Sequence, residues 1–138
     1  MKSEQFIKDH GVKKAREVVE GAPEYATHFE LTIDGVFYFK YFEFSWFCFG
    51  EEGLINTYMD DHESCHLIDL RILKRLVGSV DRVNQRGGYL AAKELLSFSI
   101  VHQEAFGKDA VSDELINSLK GEIADYESIY GEEGASHE

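Results

Sequence analysis

Residues 27–49 read THFELTIDGVFYFKYFEFSWFCF, and nearly half of them are Phe, Tyr or Trp. Such aromatic density belongs in a buried sheet or at an interface. Asp34-Gly35 sits between two β-rich runs, and Asp-Gly supplies the positive φ that a two-residue type I′ turn demands. A turn there pairs Ile33 with Val36, Leu31 with Tyr38 and Phe29 with Lys40, all on one face. His28, Glu30, Thr32, Phe37, Phe39 and Tyr41 take the other face. A third strand from Phe44 to Phe49 divides in the same way, with Phe44, Trp46 and Cys48 against Phe47 and Phe49. One helical layer covers only one face of a sheet, so the other must meet a helix, a second copy of the chain or a partner. The expected partner-binding residues are Phe37, Phe39, Phe47 and Phe49.

Around this stretch the chain reads as α+β. Two short helices precede it: Ser3 is a candidate N-cap for the first, Gly11 separates them, and Gly21 with Pro23 stops the second. After it, Glu51-Glu52-Gly53 is a turn, 54–59 a short fourth strand, and Asp60 to His66 a polar loop. The expected sheet is thus a three- to four-stranded antiparallel meander. The remainder is helical, a hairpin or three helices, with breaks at Gly87-Gly88 and Gly107 and an N-cap at Ser112. The expected division is 1–65 for the sheet module, 66–131 for a helical module sharing its core, and 132–138 for a flexible tail. GVKKAREVV at 11–19 and GYLAAKELL at 88–96 echo one another, each placing Ala four residues after Gly at the start of a helix. Both would be helix-turn-helix corners with Ala at the close contact.

The net charge is −12 over 138 residues, unevenly spread. Only residues 66–93 carry a marked positive excess. Arg71, Arg75, Arg82 and Arg86 lie there, and the first three fall on one helical face, so they are the candidate nucleic-acid contacts. The overall acidity argues against such a role, and Glu122, Asp125 and Glu127 of the last helix could take up these cations instead. An acidic surface suits basic protein partners, including the grooves of nucleic-acid enzymes, where it would act as a decoy.

No catalytic signature is present, and no cofactor motif. Asp60, Asp61, His62, Glu63, Cys65 and His66, with Cys48, are the conceivable metal ligands. Their spacing lacks a Cys-x-x-Cys pair, and adjacent Cys65 and His66 do not readily reach one tetrahedral ion, so no metal is assigned. The N-terminus lacks a signal-peptide core and no apolar run reaches membrane-spanning length, which points to the cytoplasm, with both cysteines reduced.

Ala22 to Phe29, APEYATHF, followed by Asp34-Gly35, Phe37-Tyr38-Phe39-Lys40 and Trp46-Phe47, resembles small accessory proteins of temperate tailed phages of enteric bacteria. Leu73-Lys74-Arg75-Leu76-Val77, Ala92-Lys93-Glu94-Leu95 and Ile123-Ala124-Asp125-Tyr126-Glu127 are similar to their C-terminal portion. Where that pattern usually has Gly, this chain has Tyr25. The resemblance implies a phage or prophage origin and expression in the bacterial host cytoplasm, and it implies no reaction. The resulting expectation is a non-enzymatic protein that binds a host protein through an aromatic face with an acidic rim, and that closes excess aromatic surface by forming a homodimer.

Overall fold

A computed structural model describes residues 2–131, and the tail assigned to 132–138 lies outside them. The chain is α+β and divides into two compact units between Arg75 and Leu76. The first holds α1 (Lys2–His10), α2 (Val12–Gly21), β1 (His28–Thr32), β2 (Gly35–Phe42), β3 (Ser45–Gly50), β4 (Gly53–Asn56), α3 (Asp61–Ser64), β5 (Ile68–Asp69) and the first turns of α4 (Leu70–Gln85). The second holds the rest of α4, then α5 (Tyr89–Phe106) and α6 (Asp113–Tyr130).

In the first unit the sheet is antiparallel in the order β4-β3-β2-β1-β5. The fifth strand is an addition to the expected meander: Ile68 and Asp69, just before α4, pair with Phe29 and His28. The first hairpin differs from expectation in register. Thr32 pairs with Gly35, Leu31 with Val36 and Phe29 with Tyr38, so Ile33-Asp34 is the turn. The Thr32 hydroxyl accepts the Asp34 N–H at 3.1 Å and donates to the Gly35 carbonyl at 3.0 Å, which draws the turn one residue earlier. Pairings thereby move by two residues, an even step that leaves every side chain on its expected face. The positive-φ pair occurs in the next hairpin, where Glu43 (φ 51°) and Phe44 (φ 66°) join the paired Phe42 and Ser45.

Helices α1 and α2 lie against the face that carries Phe29 and Tyr38. Phe6 meets Phe29 edge to face at 5.0 Å, and both rings are buried. Ser3 does not cap α1; it sits inside the first turn, buried, and its hydroxyl donates to the Asp69 carbonyl at 3.3 Å. The segment read as a polar loop contains the turn of helix α3, entered by a capping box in which Asp60 and Glu63 each accept the other's backbone N–H.

In the second unit α6 buries Ile116, Leu119, Ile123, Tyr126 and Ile129, while α4 and α5 bury Val77, Val80, Val83, Tyr89 and Ala92. Leu115, in the first turn of α6, falls outside this stripe and is exposed. Ser112 caps α6, its hydroxyl accepting the Leu115 N–H at 3.1 Å.

The sequence echo has a structural counterpart. Gly11 (φ 91°) and Gly88 (φ 108°) open α2 and α5, and Ala15 and Ala92 are each fully buried four residues on. Both glycines use a backbone conformation that a side chain would strain, which allows one helix to follow another almost directly.

Candidate functional site

Cross-strand partners share a face, and the pairs Phe39–Cys48 and Tyr41–Trp46 gather Phe37, Phe39, Tyr41, Trp46 and Cys48 on one side of the sheet. The Lys40–Phe47 pair puts Phe47, and with it Phe49, on the opposite side with Phe29 and Tyr38. The four residues expected to form one binding face are therefore split between two. The cause is the Glu43-Phe44 turn, which sets the β2–β3 register by aligning Trp46 with Tyr41. Phe39 is buried at 8% exposure and Phe37 is 43% exposed, while Phe47 and Phe49 are half-buried.

The most exposed aromatic side chains cluster at the end of the sheet formed by the start of β1, the β2–β3 turn and the end of β4. Tyr25 (φ 74°), Phe44 (φ 66°) and Tyr58 (φ 55°) lie there, all exposed and all in the left-handed region. Bulky residues rarely adopt that conformation, and such strain concentrates at functional sites. The Lys40 ammonium stands 5.4 Å from the Tyr25 ring and 4.8 Å from that of Phe42, tying these groups together. Glu43 shares the turn with Phe44, and Asp60, Asp61 and Glu63 follow Tyr58, so carboxylates flank the aromatic end.

Beside this end opens a cleft of about 550 Å³. Ala22, Pro23, Ala26 and Thr27 of the APEYATH segment form one wall, and Leu70, Arg71 and Lys74 of α4 form another, with His28, Tyr41, Val19 and Asp69 completing it. Asp69 accepts the backbone N–H groups of Arg71 and Ile72 at 2.8 and 3.1 Å and so caps α4. The rings of His28 and Tyr41 both pack on Trp46, at 4.7 and 4.8 Å, so the cleft and the aromatic face share two side chains.

The four arginines proposed for nucleic acid have separate fates. In the second unit, Arg82 and Arg86 each direct Nε to Glu122 at 3.0 Å, and that carboxylate is buried. Lys93 stands 4.0 Å from Glu127, to which the Tyr89 hydroxyl also donates, and Ser79 donates to Asp125. In the first unit, Arg71 lines the cleft and Arg75 lines a neighbouring depression with His28 and Ile72.

Burial pushes the Tyr89 hydroxyl above its ordinary range, and the Glu127 carboxylate adds to the effect. Burial does the same for Tyr38, whose hydroxyl donates to the Val18 carbonyl. Among the described residues no set of His, Cys, Asp and Glu converges to hold a metal ion. No described helix is long and apolar enough to cross a membrane.

Sequence reading gave no binding role to Tyr25, Phe44, Tyr58, His28 or Tyr41. Tyr25, with a φ of 74°, holds a conformation that glycine adopts far more readily. No protein-family model matches the chain, and no curated protein or solved structure matches it either.

Proposed function

We propose that the protein is a non-enzymatic accessory protein, of phage or prophage origin, that acts by binding a protein of the host. The observation that carries this reading is the aromatic end of the sheet, where Tyr25, Phe44 and Tyr58 are held exposed in strained backbone and flanked by acidic residues. Aromatic side chains are the usual anchors of interface cores, and holding them exposed in strained turns costs stability, a cost that a binding role accounts for. The carboxylates favour a partner whose contact surface is basic. Phe37 and Trp46 extend the same surface along the sheet. A second copy could close part of this surface, and sedimentation at several concentrations reads that directly.

Capture from host lysate tests the proposal, comparing the wild type with Phe44→Ser, Tyr58→Ser and Phe37→Ser. Loss of a specific, stoichiometric partner in the first two is expected. An identical partner list across all four proteins overturns it. The alternative of a nucleic-acid regulator has less support, because two of its four arginines are engaged by Glu122. An acidic decoy finds some support at the opposite end of the sheet, where the turns bearing Asp34 and Glu51-Glu52 lie together.

A further inference from the structure

We infer that the cleft between the Ala22–Thr27 segment and the start of α4 receives the C-terminal carboxylate of a polypeptide partner, with the partner's last apolar side chain on the cleft floor.

Charge comes first. In a chain of net charge −12, the cleft holds two cations, Arg71 and Lys74, against one carboxylate, Asp69. Asp69 already accepts two backbone N–H groups, and its contact with Arg71, at 4.0 Å, is loose. The Arg71 side chain is 90% exposed at the cleft rim, and Lys74 makes no ion pair among the described residues. A surplus of one positive charge suits a monoanion better than a doubly charged phosphate, and guanidinium binds carboxylate through paired N–H groups.

The apolar lining comes second. Val19, Ala22, Pro23, Ala26 and Leu70 form a hydrocarbon surface beside those cations, and 550 Å³ accommodates a terminal residue with part of its predecessor. A bare inorganic anion would leave that surface unused. Continuity comes third. His28 and Tyr41 line the cleft and also pack on Trp46, so a chain lying along the aromatic face reaches the cleft without a gap. In this the inference rests on the protein-binding reading above.

Trp46 is the only tryptophan in the chain and touches two cleft residues, so its fluorescence reports on occupancy. The probe is N-acetyl-Phe-Leu, as the free acid and as the C-terminal amide. The free acid should give a saturable change in Trp46 emission, and the amide should bind at least about tenfold more weakly, the scale of one charge-assisted hydrogen bond. Arg71→Gln with Lys74→Gln, both exposed and so expected to fold, should produce the same loss. Equal affinity for acid and amide overturns the assignment, as does an undiminished response in the double variant or no saturable change at millimolar acid. Inorganic phosphate that competes as well as the peptide acid also overturns it, in favour of a general anion site. If the double variant still captures the host partner at full yield while Phe44→Ser does not, the cleft assignment fails and the binding function stands.

Discussion

The hydroxyl of Tyr38 on β2 donates a 2.6 Å hydrogen bond to the Val18 carbonyl on α2, fastening the helical layer to the sheet. Only the protonated phenol can make this bond, since a carbonyl has no proton to offer. Tyr38→Phe should lower stability by about 1–2 kcal/mol, because the Val18 carbonyl loses its donor in a buried setting. The pH dependence follows from the raised titration of Tyr38 and Tyr89, which means the folded protein holds these protons more tightly than the unfolded chain. Their contribution is complete below pH 10.0, the ordinary value, and is lost as pH rises through the folded values. Denaturant melts between neutral and strongly alkaline pH should show that decline, and it should be shallower in Tyr38→Phe and in Tyr89→Phe.

Glu122 holds two arginines from inside the apolar stripe of α6. Glu122→Ala should cost about 2 kcal/mol, less than a fully buried pair because Arg82 is half exposed. Glu122→Leu should lose less, since the released guanidinium groups can turn to water and the stripe becomes continuous. Chemical denaturation of the three proteins measures the difference. Wild-type protein should show no anisotropy change with mixed-sequence duplex at low salt and micromolar concentration, and saturable binding there would restore the arginine face to consideration.

The strained aromatic end offers a separation of stability from binding. Replacing Glu43-Phe44 by Asn-Gly should raise stability by about 1 kcal/mol, since Asn-Gly adopts the positive-φ turn at little cost. Tyr25→Gly should act in the same direction. Both changes should weaken capture of the proposed host partner. A rise in melting temperature with unchanged capture would mean that the strain serves no contact.

Two of the side-chain caps set a smaller scale. Ser112→Ala should cost about 1 kcal/mol by removing the acceptor for the Leu115 N–H. Asp60→Ala should raise amide exchange across α3 and leave α6 unchanged, because the capping box is local to that turn.

Much of the fold is legible in the sequence because its punctuation is chemical: Gly11, Gly87-Gly88, Gly107 and Ser112 each bound a helix where a backbone rule requires it. The Gly-x-x-x-Ala echo is legible for the same reason. The aromatic site is less so. Its strand faces depend on which residues make the β2–β3 turn, and Glu-Phe carries no turn signal of its own, so the register that separates Phe37 from Phe47 is set at a turn the sequence does not mark. The capping box at Asp60 and Glu63 was readable from spacing alone. The cleft was not, because Ala22 and Lys74 lie far apart in sequence and meet only when β5 pairs with β1.

The outer strand β4 has a practical side. Its sequence, Gly53-Leu54-Ile55-Asn56, contains no charge and no proline, both hydrophobic side chains are exposed, and among the described residues one edge of its backbone has no neighbour in the sheet. Solubility then falls to colloidal repulsion between molecules rather than to any local guard on the strand. That repulsion vanishes near pH 4.9. Acidified stocks should therefore form strand-paired aggregates before the fold itself is lost, and Ile55→Lys should delay them.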